Sequence, residues 1–277
     1  MPKLIFFACL LYSLALASQP ADTIHVFPSP TGLVLIGATS DGFAVAADGA
    51  QANADGTASE IQKLYQVGKY GAIAFPGSVS IQDPIDRPVR EEVNIARIAK
   101  AWLDSHPDAG LETANREINS LISQAVAKFF STRDPGPQAG KFAFAIICTG
   151  FVDGKPIMAG NKYFMPVSRG KSPRAEKVPG NTKPGDMWIF GNGKIPEELM
   201  NGKLNALKKF KAEPSVKKLH SSRKQDLTTQ EFSDLFDAIL QAAESDEGKR
   251  FDHNSSIVAP PNRLATISIK KAFAWSK

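Results

Sequence analysis

Apolar and polar positions along this chain recur in blocks whose period switches between two and about 3.6, the signatures of strands and of helices. Gly32–Thr39 and Phe43–Ala47 are apolar runs joined by Ser40-Asp41-Gly42, and Asp-Gly between two such runs marks a hairpin. A polar loop is expected over Gly49–Ser59, then a second strand pair, Ile61–Val67 and Ala72–Phe75, turning at Gly68-Lys69-Tyr70-Gly71. Val93, Ile95, Ile98, Ala99 and Trp102 share one helical face, and His106-Pro107 stops that helix. A second helix, from Leu111 to Phe130, carries Ile118, Leu121, Ile122, Ala125, Val126 and Phe129 on one stripe. Phe142–Thr149 and Pro156–Ala159 flank the turn Val152-Asp153-Gly154 after the Pro/Gly loop Asp134–Gly140.

Trp188–Phe190 is a short strand running into Gly191-Asn192-Gly193, and Pro196 opens a helix to about Phe210. Thr228 as N-cap with Glu231 in the capping-box position opens another, whose apolar face is Phe232, Leu235, Phe236, Ile239 and Leu240. Leu264–Ile269 and Ala272–Trp275 close the chain as strands. Strands thus come in antiparallel blocks and helices in pairs. The expected fold is α+β, a four-layer αββα sandwich of two antiparallel sheets flanked by helix pairs, because that stacking buries every apolar face.

The 277 residues, 43% hydrophobic and 22% charged, are enough for one large core. Lys3 followed by the apolar run Leu4–Ala17, with Ala15-Leu16-Ala17 at its end, predicts a signal peptide over residues 1–17 and a secreted or periplasmic protein. That run rises about 21 Å as a helix, short of a bilayer core of about 30 Å, and no later segment is long and apolar enough to span. Residues 18–30 form an N-terminal extension rich in Pro, Ser and Thr, with one β-like piece at Ile24–Phe27. The sequon Asn254-Ser255-Ser256 bears on a eukaryotic secretory route.

The formal net charge of +5 is too small to imply nucleic acid. Much of it sits in Lys203–Lys224, read as a solvated helix end and linker against the alternative of an anionic-surface patch. Cys148 lies in an apolar run and reads as a small core residue, and His25, His106, His220 and His253 lack metal-ligand spacing. No cofactor is expected.

One stretch carries chemistry. Asp41-Gly42-Phe43-Ala44-Val45-Ala46-Ala47-Asp48-Gly49 resembles the opening hairpin of proteasome β subunits, with the core D-G-x-x-x-A-A-D. Lys63-Leu64-Tyr65, Pro76-Gly77-Ser78, Gly191-Asn192-Gly193 and the closing strands are similar to later landmarks of that N-terminal-nucleophile hydrolase family. The resemblance implies a domain over residues 31–277 with Thr31 as a nucleophile freed by cleavage, its own α-amine acting as base. Lys63 would lower that base's pKa, Asp48 would sit beside it, and the Gly77 amide would stabilise the oxyanion. Asp246 would be the later acid, with Glu244 and Glu247 as competitors for the role.

Each residue type suits its task, since a hydroxyl needs an adjacent base at neutral pH and a preorganised amide donor is worth about 3 kcal/mol of barrier. The sequence departs from the pattern at Pro30, where Gly usually precedes the nucleophile, at Gly49-Ala50-Gln51, where an Arg is missing, and at Asn192, where Ser is usual. Two functions follow from the resemblance: an exported threonine-type hydrolase of peptides or small amides, or an inactive sandwich used for binding or assembly. A homo-oligomer is the partner state it implies.

Overall fold

A computed structural model describes residues 24–27, 32–52, 58–82, 92–178, 180, 182–191, 193–201, 207–252, 258 and 260–276. The predicted signal peptide, most of the extension, Thr31, Asn192 and the Asn254 sequon lie outside the described residues.

The protein is a mixed α+β fold. Its larger sheet has six strands in the order β1 (Ile24–Phe27), β13 (Met187–Phe190), β2 (Val34–Ala38), β3 (Gly42–Ala47), β14 (Arg263–Ser268) and β15 (Ala272–Trp275). A five-stranded sheet runs β12 (Arg174–Lys177), β11 (Lys155–Phe164), β10 (Phe142–Val152), β7 (Gly71–Ala74) and β6 (Leu64–Val67). Two small hairpins stand apart: β4 (Ala50–Ala52) with β5 (Ala58–Glu60), and β8 (Ser80–Gln82) with β9 (Glu92–Asn94).

Helices α1 (Ile95–Ser105) and α2 (Leu111–Phe130) bury Ile95, Ala99, Ile118, Ile122 and Val126 against Ile73, Phe75, Phe144 and Ile146 of the five-stranded sheet. Helices α3 (Lys194–Asn201), α4 (Lys208–Lys211), α5 (Pro214–Ser221), α6 (Thr229–Glu244) and α7 (Asp246–Phe251) follow on the other side. There Phe232, Leu235, Phe236 and Ile239 of α6 pack on Leu35, Ala44, Ala46 and Leu264. A third cluster joins the opposite faces of the two sheets, with Val34, Ile36, Phe43 and Val45 against Leu64, Ala72, Ala145 and Ile147. Every residue of β2 and β3 is buried, so these strands read as continuous apolar runs rather than alternations.

Several expectations shift. The six-stranded sheet is not wholly antiparallel, because β1 pairs with β13 in parallel. The expected polar loop after Gly49 contains the β4–β5 hairpin, and the hairpin at Val152 extends to Phe164 on its second strand. The basic tract contains α5, which packs Val216 and Leu219 into the α6 cluster, while Lys218 pairs with Glu231 and Lys211 with Glu198. Cys148 is fully buried, and that burial pushes its thiol pKa up. The capping box of α6 forms as read, with Thr228 Oγ1 accepting from Glu231 N–H and the Glu231 carboxylate accepting from Thr228 N–H.

A polar knot ties the first hairpin to α6. Asp41 Oδ1 accepts from Thr39 Oγ1 at 2.8 Å and from Thr229 Oγ1 at 2.7 Å. Partial burial pushes the Asp41 carboxyl up, but the Thr229 and Thr39 hydroxyls, its own backbone amide and the Lys270 charge together hold it below the ordinary value of 3.8. A depressed folded pKa means that the stabilisation is present above 3.8 and fades as pH falls through the lower folded value. Asp41→Ala is therefore expected to cost about 1 kcal/mol in urea unfolding at pH 7, with the gap to wild type closing under acid. An equal gap at both pH values would contradict this.

Candidate active site

Asp48 follows β3 and Lys63 precedes β6, and the small hairpin between them brings them together. β4 and β5 pair Ala50 with Glu60, and Ile61 N–H donates to Gly49 O at 2.8 Å. Continuing that register sets Asp48 beside Gln62 and Lys63. Lys63 Nζ lies 3.0 Å from Asp48 Oδ1 and 3.2 Å from Oδ2, and both side chains are buried, at 1% and 0% exposure. Asp48 Oδ1 also accepts from Leu33 N–H at 2.8 Å, and Oδ2 from Ala50 N–H at 3.3 Å. Burial pushes the Asp48 carboxyl above the usual range, against the pull of the Lys63 charge and these amides.

The pair lies against the backbone that leads out of residue 31. A Cβ built on Gly32 would fall 2.1 Å from Lys63 Nζ and 2.6 Å from Asp48 Oδ1, and Gly32 has φ of +72°. Only glycine fits there, on both counts. Thr31 itself is outside the described residues, but its chain neighbour is in contact with both charged groups.

Gly77 sits at φ +93° in an isolated bridge to Phe144. The hydrogen bonds of that bridge come from its flanks, Ser78 N–H to Ala143 O at 2.9 Å and Ala145 N–H to Pro76 O at 2.8 Å. In an antiparallel pair of this kind the central residue's own N–H points away from the partner strand. The Gly77 amide is thus directed away from β10, toward the side on which Phe75 N–H donates to Lys63 O at 2.9 Å. Gly191, with φ of +138°, packs its α-carbon against Gly32 O, where a Cβ would approach to 2.5 Å. Its N–H donates to Phe27 O at 3.0 Å.

Asp246 is exposed on the first turn of α7, where Ser245 caps the helix by accepting from Gly248 N–H. Glu247 Oε1 accepts from Leu207 N–H at 2.8 Å, a structural contact. The Glu244 carboxyl is pushed up by burial first and by the Asp48 charge in addition, against a hydrogen bond from Asn262. Glu244 Oε1 is buried with no hydrogen-bond partner. Spacing alone did not single Glu244 out, because the break at Ser245 that turns Asp246 outward has no strong signal in the sequence.

No protein-family model matches the chain, and no curated protein matches it either. Among solved structures it resembles the Anbu complex of Pseudomonas aeruginosa, described as a helical assembly, with TM-score 0.51, 12% identity, and 88% of this chain and 86% of that chain covered. Anbu from Hyphomicrobium sp. strain MC1, a Gly-1 mutant, gives 0.49 at 14% identity over 89% and 85% of the chains. Anbu from Yersinia bercovieri, termed an ancestral beta-subunit, gives 0.48 at 11% over 88% and 86%. The Pseudomonas likeness shows a proteasome-like fold and nothing finer. Membership of the proteasome β-subunit family, which the opening hairpin implied, is corrected accordingly: with no family model matching and an identity of 12%, the likeness is a distant one of fold.

Removing one partner of a buried ion pair strands the other charge. Lys63→Met is expected to destabilise the protein by about 3–5 kcal/mol. Lys63→Met with Asp48→Leu should be less destabilised than Lys63→Met alone, the residual cost reflecting the Leu33 and Ala50 amides. Urea unfolding of the three proteins checks this, and a double variant that is worse than the single one would contradict it.

Proposed function

We propose that this protein is an exported threonine-type amide or peptide hydrolase in which Thr31, freed as the mature N-terminus, is the nucleophile. The observation that carries this reading is the buried Lys63–Asp48 pair in contact with Gly32, next to Thr31 in the chain. Buried charges are costly, and one set against an otherwise apolar strand pair is best explained by chemistry at the adjoining residue.

Thr31 Oγ attacks the carbonyl carbon of the amide while the α-amine of Thr31 takes the hydroxyl proton. The amine half leaves with that proton, an ester remains on Oγ, and water hydrolyses it with the α-amine again as base. Lys63 lowers the pKa of the α-amine by its charge, so that the amine is free to accept a proton near neutrality. Asp48 holds Lys63 in place, and the Gly77 N–H is the oxyanion donor. Glu244 is the stronger candidate for the acidic group, because it is half-buried with Oε1 unpartnered whereas Asp246 is exposed. The three side-chain clusters support the four-layer αββα arrangement as the scaffold.

A second reading is favoured by β1. With Ile24–Phe27 paired to β13, residue 31 lies inside the chain, and an uncut chain has no α-amine there. In that state the protein is a non-catalytic module for binding or assembly.

The hydrolase reading expects protein from the native host to begin at Thr31, read by intact mass and N-terminal sequencing. Thr31→Ala is expected to cut turnover of a peptide-amide panel by at least about a thousandfold. A mature chain that begins before Thr31 and turns over nothing would establish the module instead.

A further inference from the structure

The five-stranded sheet ends on one side in β12, and cations gather along that edge. Lys141 at the entry to β10, Arg169 and Lys171 in the connection from β11, and Arg174 and Lys177 on β12 itself are all exposed. Main chain joins these pieces. Met165 N–H donates to Lys141 O at 2.8 Å, and Gly170 N–H donates to Phe130 O, at the end of α2, at 2.9 Å. The one acid between Met165 and Val178, Glu176, is already engaged: its carboxylate lies 3.3 Å from Lys162 Nζ and 2.6 Å from Arg174 Nη1. Among the described residues, Lys141, Arg169, Lys171 and Lys177 have no acid partner.

The main chain of this edge is open as well. Val178 N–H donates to Gly160 O at 2.9 Å, and the register then has Arg174, Glu176 and Val178 bonding inward to β11. The N–H and C=O groups of Ala175 and Lys177 therefore point out of the sheet, as a template for a further strand. Lysine and arginine on such an edge repel a second basic edge, that of another copy included, and attract an acidic strand.

Two other anionic partners fit less well. Nucleic-acid bases need a free ring to stack on, and Phe164 already carries the Arg174 guanidinium at 4.2 Å, with Lys162 Nζ at 6.0 Å. A lipid surface needs several apolar anchors, whereas Val167, 72% exposed, stands alone on these segments among the described residues.

We propose that the outer edge of β12 is a docking site for an extended acidic segment of another protein, which joins the five-stranded sheet as a sixth strand. The main chain of the segment bonds to Ala175 and Lys177. Its carboxylates meet Arg174 and Lys177, which strand alternation puts on opposite faces, while Arg169 and Lys171 extend the positive field beyond the strand. No candidate active-site residue is on β11 or β12, so the docking needs nothing of Thr31.

The probe is a fluorescein-labelled peptide of alternating Glu and Val, titrated with the whole protein at low salt and followed by anisotropy. Arg174→Glu combined with Lys177→Glu is expected to weaken binding by about tenfold or more. Two further peptides carry N-methyl groups on alternate residues, one in each phase, and keep the full charge. The phase that faces β12 is expected to bind about tenfold more weakly than the other, because its main-chain donors are gone. Ala175→Pro removes an outward N–H without touching the pairing to β11, and should weaken binding likewise while keeping the circular dichroism of the wild type. Hydrogen exchange of the Ala175 and Lys177 amides should slow when the peptide binds.

The proposal is overturned if the parent peptide does not bind at about 1 mM, or if the double variant binds it as the wild type does. Equal binding of the parent and both N-methylated peptides would also overturn it, by showing charge attraction without an added strand. A single-stranded oligonucleotide and vesicles rich in phosphatidylserine serve as competing probes. If either binds more tightly than the peptide and is lost in the double variant, the edge belongs to nucleic acid or to a lipid surface instead.

Discussion

Two charges without water hold the centre of this molecule. An ammonium and a carboxylate at 1% and 0% exposure are tolerable only when each satisfies the other and the remaining lone pairs find donors. That requirement fixes several pieces of chain at once. The end of β3 supplies Asp48, the approach to β6 supplies Lys63, and the β4–β5 hairpin sets the register that joins them. The amides of Leu33 and Ala50 complete the carboxylate. The start of β2 must then pass so close that residue 32 can carry no side chain. The pair thus fixes the chain at Gly32, where it runs into β2.

The surroundings of the pair are built from backbone more than from side chains. Gly32, Gly77 and Gly191 all take positive φ, and each brings main chain close to other main chain or to charge. Amide groups held this way have fixed directions, which is what a site for a developing oxyanion requires. β1 enters the same arrangement through Gly191, whose N–H donates to Phe27 O. In the proposed reaction, cutting the chain before Thr31 creates the α-amine base.

Much of this was legible from residues alone. The α6 capping box, the β2–β3 hairpin at Asp41-Gly42 and the helix Leu111–Phe130 follow from local chemistry that tertiary packing does not override. Asp48 and Lys63 were legible through a motif resembling the proteasome hairpin, although the family assignment that came with it did not hold. Other features had no local signal. Strand periodicity does not name a partner, so the parallel pairing of Ile24–Phe27 with β13 was invisible. The edge strand Arg174–Lys177 has no apolar alternation, because neither of its faces is buried. Glu244 is half-buried and Asp246 exposed because the chain breaks at Ser245 and starts a new helix, and an N-cap serine is too common to predict that break.

The most direct test of the central claim is mass spectrometry of the protein quenched during turnover of an amide substrate. The account predicts one acyl group in ester linkage on the hydroxyl of Thr31, in a peptide whose first residue is Thr31. An unacylated chain in which Thr31 is still joined to Pro30, or an acyl group carried on another residue, would contradict it.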